Sequence, residues 1–80
     1  MPSSIHTEEY DRFRALLIDA RKKAGLSQAD LAKKLTKPQS FVSKFERGER
    51  RLDVIEFRSV AQALGLDPIQ LLRRFYKEAR

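Results

Sequence analysis

If the residues from about Pro38 or Gln39 to Arg47 are helical, then Gln39, Ser40, Ser43, Lys44 and Arg47 share one face, and none of the five is apolar or acidic. Side chains of these types match the edges of nucleic-acid bases. A glutamine amide can make two hydrogen bonds to adenine, a lysine can donate to O6 and N7 of guanine, and serine is permissive. A glutamine in the first turn is well placed, because the N-terminus of a helix lying in the major groove points at the base edges. The plainer alternative is a solvated polar face on an ordinary helical hairpin.

Other chemistries lack their parts. The sequence has no cysteine and one histidine, His6, which excludes a disulfide scaffold, a thiolate or His-rich metal cluster, and a cysteine nucleophile. Glu8 and Glu9 sit on an exposed helix start, and Ser43 has no histidine near it in sequence. No catalytic residue is assigned, and an enzyme is not expected. Nor is a metal, a cofactor or a small-molecule ligand, since a bundle of this length has little room for a pocket.

Charge points the same way. Seventeen Lys/Arg against eleven Asp/Glu give +6, and residues 26–52, with seven against three, hold +4 of it. A basic centre wants an anionic partner, nucleic acid being the commonest, unless it is simply a solvated basic surface. No apolar run approaches the roughly 18 residues that cross a bilayer, and Met1-Pro2-Ser3-Ser4 lacks the regions of a signal peptide. The expectation is a soluble cytoplasmic protein, on the nucleoid when bound to DNA, with no membrane partner.

The elements that must position these residues are helices. Tyr10, Phe13, Leu17, Ala20 and Ala24 step by three and four, with Leu16 beside them. Thr7 is the predicted cap, Glu8, Glu9 and Asp11 suit the positive end of the dipole, and Gly25 stops the helix. A second helix opens at Ser27, with Asp30 three residues on, and buries Leu31, Ala32 and Leu35. Thr36-Lys37-Pro38 breaks it, and Pro38 suits the start of a third helix with Val42 and Phe45 inward and Gly48 at its end. Asp53 and Glu56 form a capping-box pattern for a fourth helix, whose apolar side is Val54 or Ile55, Phe57, Val60, Ala61 and Leu64. Gly65-Leu66-Asp67-Pro68 ends it and begins a fifth helix, about 67–79, with Ile69, Leu71, Leu72, Phe75 and Tyr76. The fold class is all-α: one five-helix domain over 1–80, with helices two and three forming a helix-turn-helix at about 27–47.

Leu26-Ser27-Gln28, Leu31-Ala32, Val42-Ser43, Glu46-Arg47-Gly48 and Ala63-Leu64-Gly65 carry a resemblance to a known family. From about residue 12 to 72 the chain resembles the lambda-repressor-like helix-turn-helix family, the XRE-type regulators. The resemblance implies five helices, operator binding and a homodimer. It puts Gln28 at a phosphate, and Gln39, Ser40 and Lys44 at bases, beside Ser43 from the helical phase. Arg47, Arg50 and Arg51 fall where the family grips the backbone, and Lys37 is also assigned to a phosphate. Arg21 and Glu46 fall where a partly buried ion pair ties helix one to helix three. Two departures stand out: Thr36 occupies the usual glycine of the turn, and Pro38 replaces a Ser/Thr cap.

Phe41 has two readings, contact with a thymine methyl or sugar edge, and packing against helix two or the following loop. Ile69, Leu72, Phe75 and Tyr76 are more apolar surface than one short helix needs. The plainer alternative is that all of it closes the monomer's own core. The preferred reading, that part of it joins a twofold dimer, assigns these four to a dimer interface. The resulting expectation is a small transcriptional regulator, a repressor acting as a homodimer on a pseudo-palindromic double-stranded operator. With no length left for a sensing domain, control falls to concentration, the dimer equilibrium or a partner protein. The rival is a helix-turn-helix module that binds a protein partner, antitoxin-like, with weak or no specific DNA binding.

Overall fold

A computed structural model describes residues 7–78 of the chain; His6 and residue 79, the expected end of the last helix, lie outside them. Five helices follow one another: α1 Glu8–Lys23, α2 Gln28–Leu35, α3 Gln39–Glu46, α4 Val54–Ala63 and α5 Pro68–Glu78. The described residues contain no strand.

Local chemistry sets the helix starts. Thr7 Oγ1 accepts the Tyr10 N–H at 3.1 Å. Ser27 with Asp30, and Asp53 with Glu56, each close a reciprocal capping box, so two otherwise unpaired N–H groups are satisfied at α2 and two at α4. Pro38 offers α3 no side-chain cap, as its lack of a side-chain oxygen requires. At the other ends, Gly25, Gly48 and Gly65 all take positive φ. Thr36 does the same work without being glycine. It sits at φ 54°, ψ 45°, while its N–H reaches the Lys33 carbonyl at 3.1 Å and the Lys37 N–H reaches Ala32 at 3.0 Å. The turn that usually needs glycine therefore keeps its left-handed geometry and carries the strain of a β-branched side chain.

Packing joins α2 to α3 and α4, α1 to α3 and α5, and α4 to α5. Leu17, Leu31, Val42, Phe45 and Val60 are the largest fully buried side chains. Phe13 of α1 meets Phe57 of α4 and Phe75 of α5 at ring-centroid distances of 5.6 and 5.5 Å, which ties the ends of the domain together.

Three apolar assignments need correction. Ala24 lies beyond the last turn of α1 and is exposed. Val54 and Ile55, at 72% and 58% exposure, stand outside the core, and Val54 lines the rim of an open groove with Tyr10, Leu72 and Tyr76. Phe75 is buried at 8% exposure among the domain's own aromatics, so it is a core residue and leaves the expected dimer face.

Candidate nucleic-acid interface

Three residues, 36–38, separate α2 from α3, and the inward residues Leu31, Ala32, Val42 and Phe45 are all buried. Burying that side of α3 leaves the other side to solvent. Gln39, Ser40, Lys44 and Arg47 are exposed there, and Ser43 is half-buried, its hydroxyl donating to the Ser40 carbonyl at 3.3 Å. The fifth helix packs on α1 and α4, and it leaves these side chains exposed.

A buried ion pair fixes the base of this surface. Arg21 Nε and Nη2 donate to the two Glu46 carboxylate oxygens at 2.7 and 3.0 Å, and Arg21 Nη1 donates to the Leu26 carbonyl at 2.8 Å. At 8% and 6% exposure, these two are the buried charged residues of the domain's described part. The pair locks the end of α1 and the start of α2 to the last turn of α3.

Gln28 joins the same network. Its Nε2 donates to Glu46 Oε1 at 2.9 Å. The phosphate role assigned to Gln28 is thereby narrowed: one amide N–H is committed inward, and only its second can be offered to DNA.

Arg14 is a residue that sequence reasoning missed. It donates to the Glu46 backbone carbonyl and, at 2.7 Å, to Asp11. Its guanidinium lies over Gly48, where a Cβ would fall 3.1 Å from Nε, so a side chain there would press on Arg14 as well as strain a φ of +80°. The available signal was spacing: Arg14 precedes Arg21 by seven residues and so lies on the same face of α1.

Each arginine expected to grip the DNA backbone has an intramolecular engagement. Arg47 Nε and Nη2 donate to Glu49 at 2.9 and 3.1 Å; this contact holds the Glu49 carboxyl below its usual value and raises Arg47. Arg50 donates to both Glu56 oxygens at 2.9 and 2.7 Å and lies 4.8 Å from the Phe41 ring centroid. That chelate gives Arg50 a structural engagement beside the phosphate role expected of it. It is a strut from the connector to the first turn of α4. The hydrogen bond from Arg50, reinforced by the Asp53 backbone N–H, pulls Glu56 down to about 2. The Arg51 guanidinium lies 4.6 Å from the Tyr10 ring, and the Tyr10 hydroxyl accepts the Leu52 N–H at 3.3 Å.

Phe41 resolves toward packing. It meets Phe45 edge-on at 5.7 Å, with Arg50 and the Lys37 ammonium both near its ring. Lys37 itself stays exposed beside α3.

On the expected dimer face, Ile69 and Tyr76 are exposed at 58% and 61%, and Leu72 is half-buried. With Arg73 and Lys77 they line an open groove of about 720 Å³.

The comparisons with known proteins agree with this geometry. The helix-turn-helix family model matches residues 17–71, most of the chain. An XRE-family-like protein from Pseudomonas syringae pv. tomato str. DC3000 is 45% identical, with a TM-score of 0.88 over 96% of this chain and 94% of that one. The restriction-modification controller protein C.Esp1396I, as a point variant, shares 22% identity and a TM-score of 0.81 over 91% and 92%. The clp gene regulator ClgR from Corynebacterium glutamicum shares 22% identity and 0.77 over 90% and 77%. At those identities the last two speak to the fold alone. No curated protein sequence matches the chain.

The chain belongs to the XRE-type helix-turn-helix family, a family of DNA-binding transcriptional regulators. No helix among the described residues is long and apolar enough to cross a membrane.

Proposed function

We propose that the chain reads a specific double-stranded operator through α3, as a homodimer on a pseudo-palindromic site, and acts as a repressor. The observation that carries this reading is the exposed outward side of α3. It presents Gln39, Ser40 and Lys44 on a frame locked by the Arg21–Glu46 pair. Ser43 is a weaker reader, being half-buried and bonded within its own helix. Lys37 and Arg47 are the cations best placed to meet phosphates, with Arg51 at the connector.

The dimer reading draws on the exposed Ile69 and Tyr76 and the half-buried Leu72 of α5. Two copies related by a twofold axis would set their reading helices about 34 Å apart, one turn of B-DNA. Occupying such a site excludes other proteins from it, and repression requires nothing more.

The test is selection of bound duplexes from a random pool, followed by binding as a function of salt. Symmetric half-sites about one helical turn apart are expected. If a dimer neutralises roughly 6–10 phosphates, affinity should fall about 10³- to 10⁵-fold between about 50 and 200 mM salt. A second reading, a module that binds a protein partner, is favoured by the same α5 groove. No enriched motif and a flat salt response, beside tight binding to a protein, would establish it instead.

A further inference from the structure

We infer that Glu49 is an affinity-setting residue for DNA, an internal stand-in for phosphate that Arg47 must leave in order to grip the backbone. The inference rests on the proposed phosphate role of Arg47. Its basis is how the end of α3 is built. The left-handed Gly48 folds the chain back, so that the Glu49 N–H caps the Lys44 carbonyl at 2.9 Å and the Gly48 N–H caps Phe45 at 3.2 Å. That closure returns the Glu49 side chain to the helix end. There its two oxygens take Arg47 Nε and Nη2 at 2.9 and 3.1 Å, the forked contact that a phosphate would also make.

The reading face carries no acid of its own, whereas this carboxylate is held directly on one of the arginines expected to meet the polyanion, and its field also reaches Lys44. Both partners are more than half exposed, at 56% and 53%. Water screens the pair, and a phosphate can displace it at small cost. Arg50 differs: its chelating Glu56 also holds the cap of α4, so opening that contact would disturb the helix start.

Glu49→Gln keeps the shape and removes the charge. On both the selected duplex and a scrambled duplex of equal length, it should tighten binding about two- to fivefold. The salt slope should steepen by up to about one, because no carboxylate is left to recapture a cation. The ratio between the two duplexes should stay as it was, since the brake acts on a backbone contact. Most of the gain should vanish in an Arg47→Ala background. An equal gain with and without Arg47 overturns the inference, because Glu49 would then act only as a distant repelling charge. Unchanged binding in Arg47→Ala alone also overturns it, while leaving the base-reading role of Gln39 and Lys44 standing. A wild-type chain that binds no duplex defeats the proposed function itself, a separate result. Melting curves that overlay the wild type show that the variants fold, as expected for two exposed side chains.

Discussion

Replacing Glu46 with alanine removes both oxygens that Arg21 holds at 2.7 and 3.0 Å, together with the acceptor of Gln28 at 2.9 Å. A guanidinium at 8% exposure is then left without its counter-charge. Stranding one partner of a buried pair costs about 3–5 kcal/mol. A domain of 80 residues has roughly 4–12 kcal/mol in total, so the variant should sit near the edge of unfolding. At about 4–8 °C per kcal/mol for a domain of this size, the melting temperature should fall by at least about 12 °C. The assay is thermal and urea unfolding followed by far-ultraviolet circular dichroism. The double variant Arg21→Met, Glu46→Leu supplies the second arm. Apolar side chains of similar volume remove the desolvation cost along with the attraction, so the double variant should regain most of what Glu46→Ala loses. A loss below about 1 kcal/mol for Glu46→Ala, or a double variant no better than the single, would refute the reasoning. The pair would then behave like the exposed, solvent-screened Arg47–Glu49 contact.

Two further outcomes follow from local geometry. Thr36→Gly should raise the urea midpoint, by the equivalent of about 1 kcal/mol, because it releases a β-branched residue from φ 54°; an unchanged or lower midpoint would show the turn to be unstrained. Acid should expose the Arg50–Glu56 strut. The folded Glu56 carboxyl is held at about 2 against an ordinary 4.5, so between those values the unfolded chain binds more protons. Stability from this group is then complete above about pH 4.5 and lost as pH falls toward 2, and Glu56→Gln should flatten that part of the stability–pH curve.

Much of this molecule is written locally. Helix starts follow from Thr7, Ser27 and Asp53, stops from three glycines, and the inner faces from apolar spacing, because caps and periodicity act within a few residues. The outward side of α3 was legible for the same reason: helical phase separates Gln39 and Lys44 from Val42 and Phe45. Arg21 with Glu46, 25 residues apart, came from family resemblance, since no local rule joins them. What stayed hidden depends on the path of residues 48–53. That connector brings Glu49 back to Arg47 and carries Arg50 to Phe41 and Glu56, and an exposed arginine reads identically in sequence whether it is paired or not. Phe75 stayed hidden because the ring that closes on it, Phe13, comes from α1 at the other end of the sequence, and no local rule joins the two. Gln28 turned inward because Glu46 Oε1, already holding Arg21 Nη2, can accept a second hydrogen bond.

The central claim, that the outward side of α3 reads bases, is tested most directly by one ratio: affinity for the selected duplex over affinity for a scrambled one, measured for the wild type and for Gln39→Ala, Lys44→Ala and Arg47→Ala. The account predicts that Gln39→Ala and Lys44→Ala each lose about 1–3 kcal/mol on the selected duplex and little on the scrambled one, while Arg47→Ala weakens both alike. Equal losses on the two duplexes for all three variants would contradict it.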